Sequence, residues 1–347
     1  MSDSFRNTVQ PNYYTATVVL ALIFLTAVSI NQFLVFDGKY MHAYDKLLLK
    51  AYHVTNGMGE WKTFQNRLLG PYTVLLLTEL DITYATASRI FYLFFTIVTN
   101  ISFFLIYYTY LGSVSRALYL TSFFILVSIL LPHHFHFYVW DQYDLLFFTI
   151  FSGLVLFRKS DIHYVVLFFI ALLNRESALF IGVWLCIDSF MLSPAASGGL
   201  PKVSLVNRNR LAMGMALIVI GIILTITVRE LLFHNSSSQT ISSGSFSGNL
   251  YPQALIINLH SLWNDFTYYN KVFYVHIYFL CFLFFLYLNR QTLLRLPPSA
   301  QKVALLILSY LIMTFMFSIF KETRTHTLLI PLGCVFYILG PAKWACK

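Results

Sequence analysis

The sequence predicts an all-α polytopic membrane protein of about ten transmembrane helices, on three observations. The 347 residues are 58% hydrophobic and only 11% charged, whereas soluble domains carry about 25% charged residues. Uncharged runs such as 90–111 (IFYLFFTIVTNISFFLIYYTYL) and 303–320 (VALLILSYLIMTFMFSIF) are long enough to cross a bilayer. Alternating strands separated by turns, the mark of a membrane β-barrel, are missing from the pattern.

The first apolar run, 16–30, has neither a basic leader nor a small-residue cleavage site, so it reads as an uncleaved span over 15–36. Further spans are expected at 90–111, 118–132, 145–157, 164–173, 178–192, 211–233, 271–288, 303–320 and 327–342. The segment 68–80 (LLGPYTVLLLTEL) is short, contains Pro71 and runs into Asp81, which suits an interfacial or re-entrant helix. One transmembrane domain then accounts for 1–347, with outer loops 37–89, 133–144, 234–270 and 321–326 forming the candidate active face. Loop 234–270 opens on HNSSSQTISSGSFSGN, the composition of a flexible segment, and 193–210 reads as a plain inner connector. The four cysteines fall in expected spans or at the carboxyl end, so no disulfide framework is implied.

With the amino terminus inside, inner segments hold twelve of the 23 basic residues but only three of the 14 acidic ones. The short connections GSVSRA, RKSDIH and NRQTLLRLPPSAQK are basic, as cytoplasmic loops tend to be. The net charge of +9 therefore reflects membrane anchoring and does not point to nucleic acid. Both termini are expected to be cytoplasmic. The outer face collects acids, bases and histidines in near balance, and any chemistry is expected there.

Asp37 directly follows the first span, where a carboxylate can take a proton from an incoming hydroxyl or merely end a helix in solvent. Asp45 stands a little further on. Arg67, in FQNRLLGP, suits either a two-pronged grip on phosphate or a side chain reaching for lipid headgroups. PHHFHFYVWDQYD (132–144) joins two spans and supplies His133, His134, His136, Asp141 and Asp144 for substrate recognition. His134, His136 and Asp141 are the weak candidates for a divalent ion, in spacing that matches no zinc pattern. NRES (174–177) puts Arg175 and Glu176 between two apolar runs, although an Arg near the centre of a membrane helix costs roughly 2.5–3.5 kcal/mol. A tight outer turn would let both face a polar cavity, with Ser177 capping the next helix; the plain alternative is an ion pair pinning helices together. KETRTH (321–326) brings Lys321, Glu322, Arg324 and His326 to the outer leaflet, a cluster suited to a lipid-linked phosphate.

An acid after the first span, an aromatic three residues on at Tyr40, Asp45 and Gly59-Glu60-Trp61 together resemble the first outer loop of GT-C fold glycosyltransferases. Arg67-Leu-Leu-Gly-Pro71, the later NRE and the final KETR look like features of small bacterial members. Gly38 stands where relatives with a paired acidic motif carry a second acid, and the large outer domain of many relatives is missing. The resemblance implies a bacterial inner- or plasma-membrane enzyme that takes a sugar from a polyprenyl-phosphate donor. The acceptor would be a glycan, lipid or protein. Asp37, backed by Asp45, would be catalytic; Arg67, Arg175, Lys321 and Arg324 would bind the donor phosphate. His133, His134, His136, Asp141, Asp144, Glu176, Glu322 and His326 would support the substrates. No cofactor is required, and a divalent metal is an optional addition. Competing expectations are a polymerase or ligase acting on lipid-pyrophosphate oligosaccharides, a lipid or solute transporter, and a non-catalytic assembly subunit.

Overall fold

The computed structural model describes residues 6–40, 51–56, 67–131, 138–193, 202–233, 255–256, 258–259, 296–317 and 323–340. They form a helical membrane protein. Five helices are long and apolar enough to cross a membrane: α1 (Arg6–Tyr40), α3 (Tyr84–Leu111), α5 (Val139–Leu156), α8 (Arg208–Phe233) and α9 (Pro298–Phe317). Between and after them lie five shorter apolar helices: α2 (Leu69–Thr78), α4 (Val114–Leu130), α6 (Asp161–Leu172), α7 (Leu179–Asp188) and α10 (Leu329–Leu339). Nine of the ten expected spans thus coincide with helices, but four of these fall short of the roughly 20 residues that a full crossing takes. The expected span 271–288 lies outside the described residues.

Local chemistry sets the boundaries. Thr83 caps α3, its hydroxyl accepting from the Thr86 N–H at 3.3 Å. The same helix stops at Gly112, whose φ of +62° is open to glycine at little cost, and whose N–H reaches Tyr108 O at 2.8 Å. Pro298 occupies the first position of α9, where its missing N–H is not needed. The inner connector forms more structure than its composition suggests: β1 (Phe190–Ser193) and β2 (Lys202–Leu205) pair antiparallel, with Phe190 opposite Leu205.

α5 is the hub. Fifteen of its 18 residues are buried, and it packs against α2, α3, α6, α10 and the 3-10 turn Thr323–Leu328. α1 and α8 bury far less of their surface and leave apolar side chains such as Leu20, Ile23 and Ile223 exposed, as lipid-facing helices do. Two close approaches depend on glycine. A Cβ on Gly214 of α8 would stand 2.8 Å from Gly182 O and 2.9 Å from Cys186 N of α7. A Cβ on Gly70 of α2 would stand 2.9 Å from Trp140 N of α5.

The helix directions sort charge to two ends. At one end the starts of α3 and α5 meet, shown by Phe91 and Phe95 packing on Tyr143, and the ends of α1, α6 and α8 join them. At the other end Asp188 receives Arg210 at 2.6 Å and Lys302 at 2.8 Å, while Arg210 also reaches Asp161 at 3.2 Å. That second cluster ties α6, α7, α8 and α9 together.

Candidate functional site

Four sequence stretches far apart in the chain meet around the first two turns of α5. The helix begins at Val139, six residues before the expected span, so Asp141 and Asp144 stand on it rather than in a loop. Their spacing of three puts both carboxylates on one face. Asp141 also closes the helix start: its Oδ2 accepts the Tyr138 N–H at 2.9 Å, while its own N–H reaches Tyr138 O at 2.9 Å.

The NRES turn plugs onto that face. α6 ends at Leu172, Arg175 is extended, and a short 3-10 turn (Glu176–Ala178) leads into α7. Arg175 Nη1 donates to Asp141 Oδ1 at 3.0 Å and to Asp144 Oδ2 at 3.2 Å. Asn174 Nδ2 donates to Trp140 O at 2.8 Å and to Asp144 Oδ1 at 3.0 Å. Ser177 Oγ donates to the same Asp144 Oδ1 at 3.0 Å. Ser177 therefore serves the acid of α5, and the expected cap on α7 is not made: Ala178 stands at the cap position with no side-chain bond. Glu176 pairs with Arg229, four residues before the end of α8. Asn174, Arg175 and Ser177 thus converge on Asp144, while Glu176 turns to α8.

The RLLGP stretch closes the group from a third side. The N–H groups of Leu68 and Leu69 both donate to Leu173 O, at 3.0 and 3.1 Å, which docks the start of α2 beside the NRES turn. Gly70 permits backbone contact with α5, and Arg67, 6% exposed, lies with its guanidinium 5.1 Å from the centre of the Trp140 ring. The final stretch arrives as the 3-10 turn Thr323–Leu328, packed on α5 and held by Tyr310 Oη donating to Thr325 O at 2.8 Å.

Three arginines (67, 175, 229) and three acids (141, 144, 176) thus gather in one balanced group. The balance is what makes burial tolerable, since an unpaired buried charge is several kcal/mol unfavourable. Asp144, only 1% exposed in its side chain, has three donors to share its charge. Burial disfavours the Arg175 charge, but Asp144 and Asp141 outweigh that and hold the guanidinium more firmly protonated than usual. Burial likewise opposes the Glu176 charge, yet Arg229 and then Arg67 prevail and set its carboxyl below the ordinary range.

Asp37 belongs to a second, separate pair. Its Oδ1 accepts from Arg89 Nε at 3.0 Å, with both side chains partly exposed. The preceding Phe36 packs into the aromatic cluster containing Phe91, Tyr138 and Trp140, which places this pair at the same end of the bundle. Arg89 and Arg229 are the functional candidates missed from the sequence. Arg89 falls at the end of the outer segment 37–89 in the sequence, although Thr83 signals a helix start before it; Arg229 is a cation within an otherwise apolar run, itself a signal.

Asp45, His133, His134, His136, Lys321 and Glu322 lie outside the described residues, as does the side chain of Arg324. His326 is half-buried between the buried Thr325 and Thr327. Among the described residues no group of three His, Cys, Asp or Glu side chains is placed to hold a metal ion. Cys186 and Cys334 are free thiols. Comparison with protein-family models, with curated proteins and with solved structures finds no match to this chain.

Proposed function

We propose that this chain is a GT-C-type membrane glycosyltransferase of about ten spans. It moves a sugar from a polyprenyl-phosphate donor to a glycan, lipid or protein acceptor on the extracytoplasmic side of a bacterial inner or plasma membrane. The observation that supports this most is the gathering of RLLGP, WDQYD, NRES and the TRTH turn around one end of α5. Chemistry-bearing residues that are dispersed in sequence and packed on rigid helices are what a site requires.

In this reading Asp37 takes the proton of, or orients, the acceptor hydroxyl, with Arg89 fixing the carboxylate's direction. The hydroxyl oxygen attacks the anomeric carbon, and the bond to the phosphate oxygen breaks. Arg67, Arg175, Lys321 and Arg324 take up the charge that grows on the departing phosphate. Because Arg175 Nη1 already serves two carboxylates, its Nε and Nη2 are the atoms that would meet a phosphate oxygen. Purified protein in liposomes with a polyprenyl-phosphate sugar should yield transfer, and Asp37→Asn or Asp45→Asn should abolish it. Full transfer by both variants would remove the catalytic assignment.

One observation favours a transporter as the second reading. α6 and α7 are 12 and 10 residues long and meet at extended backbone beside buried charge, as half-helices do at transport sites. Flux of the lipid or solute through the same liposomes without transfer decides for it.

A further inference from the structure

A second polar feature lies away from the charged group, between α1, α3, α4 and α5. Asn100, near the middle of α3, donates from Nδ2 to Ser29 Oγ and to Gln32 Oε1, each at 2.9 Å. Gln142 of α5 donates to Thr96 Oγ1 at 3.2 Å. Gln32, Thr96, Asn100 and Gln142, with Thr99 and Ser128, are the polar lining of a cavity of about 10 Å³. All six are buried.

Several hydroxyls in these helices follow the ordinary local habit and donate back to the carbonyl four residues earlier. Thr26, Ser29, Thr121 and Thr149 all do so, at 2.7–2.9 Å. Thr99 and Ser128 do not. Their oxygens are buried, at 1% and 3% residue exposure, and have no hydrogen-bond partner among the described residues. Within a membrane a hydroxyl without a partner is destabilising, because no bulk water stands ready to supply one.

We propose that this cavity is a water-binding site, in which one ordered water bridges the Thr99 and Ser128 hydroxyls and completes a polar seam across four helices. The size fits: a cavity needs roughly 10–15 Å³ to hold one water, with two to four polar partners. Thr99 and Ser128 supply two, and Asn100 and Gln142 stand beside them with amide oxygens. The seam also bears on the charged group. Gln142 holds one face of α5 while its neighbours Asp141 and Asp144 hold Arg175 on another, so the water steadies the turn of helix that presents both acids.

The test uses the full chain in lipid nanodiscs, pulsed with hydroxyl radicals in ¹⁸O-water, alongside a density map fine enough to show waters. The cavity-lining Phe36 and Leu145 should take up label, and the map should show one density peak within hydrogen-bond reach of both hydroxyls. The double variant Thr99→Val, Ser128→Ala should lose both the peak and the label at Phe36 and Leu145, while exposed His163 keeps its label as an internal control for folding and dose. A map in which the two hydroxyls turn onto the carbonyls of Phe95 and Phe124, with no peak, overturns the proposal. So does a peak that persists in the double variant. The single variants keep the test open should the double variant fold poorly, since each must already weaken the peak.

Discussion

Replacing Arg175 by Met is the sharpest probe of the charged group. The substitution keeps an unbranched side chain of similar length but leaves Asp141 and Asp144, 4% and 1% exposed, without their shared cation. Removing one partner of a buried pair typically costs about 3–5 kcal/mol. An upper limit follows independently, because a stranded carboxylate can always escape by binding a proton. Holding an Asp of ordinary pKa near 3.9 neutral at pH 7 costs about 3.1 × 1.36, or roughly 4 kcal/mol. The remaining donors, Asn174 and Ser177 on Asp144 and the Tyr138 N–H on Asp141, soften the loss for both acids, so a value of about 4 kcal/mol is expected overall. The sign of the pH effect is fixed by the same reasoning. The deficit comes from negative charge left without its cation, so it is largest at pH 7 and shrinks as acid neutralises carboxylates toward pH 4. Unfolding of purified protein, followed by fluorescence of Trp140 stacked on Tyr138, reads this difference. Adding Asp141→Asn and Asp144→Asn to Arg175→Met should restore most of the stability. A single variant that loses less than about 1 kcal/mol at pH 7, or whose loss ignores pH, refutes the claim that this ion group is buried and coupled. The same three proteins separate structure from catalysis: if Arg175 also grips phosphate, the triple variant regains stability while its transfer activity stays lost.

Gly70→Ala places a methyl 2.9 Å from Trp140 N and 3.1 Å from Val139 C, backbone atoms that cannot rotate away. It should cost about 1–3 kcal/mol and loosen Arg67 from the Trp140 ring, read as a lower melting temperature and a shifted tryptophan spectrum. Gly214→Ala meets Gly182 O at 2.8 Å and Cys186 N at 2.9 Å, so α7 and α8 should separate with a loss of similar size, seen in the same unfolding assay. Arg229→Leu should destabilise at neutral pH; because Glu176 titrates below its ordinary value when paired, the native advantage is present above about pH 4.3 and fades as pH falls through the lower folded value. The gap between native and variant unfolding midpoints should therefore close in acid.

Much of the helical layout was legible in the sequence because apolar runs in lipid must satisfy their backbone internally, and only helices do that within one segment. The length of each element was less legible. α5 was expected to start at 145 and starts at 139, because the polar WDQYD looks like a loop until its acids acquire Arg175. α3 was expected at 90 and starts at 84 for the same reason, since Arg89 is tolerated on the helix once Asp37 faces it. Binary patterning marks a charge as belonging outside, and cannot know that its counter-charge arrives from 52 residues away. The short hairpin after α7 escaped because a Pro, Ser and Gly-rich stretch masks the two four-residue strands that flank it.

The motif residues show where such reasoning does succeed. The question posed by NRES, why a chain this apolar sets Arg beside Glu, has a geometric answer that does not depend on any activity. With Arg175 extended and Glu176 opening a 3-10 turn, consecutive side chains point to different neighbours, Arg175 to α5 and Glu176 to α8. One turn thereby pins two helices through opposite charges, and an i,i+1 pair that could never meet itself becomes two buried bridges. Sequence alone supplied both ideas, a polar site and a helix staple, as rivals. In the structure they are the same atoms: the carboxylates that make Arg175 affordable inside the bundle are those that fix the direction in which its remaining nitrogens point. Any ligand that shares Arg175 competes for its charge with Asp141 and Asp144, so only a group with full negative charge of its own has the strength to do so. That requirement selects phosphate over a neutral sugar as the moiety this end of the bundle could bind, and it makes competition by inorganic phosphate or pyrophosphate in a binding assay with the Arg175→Met variant the measurement on which the donor assignment turns.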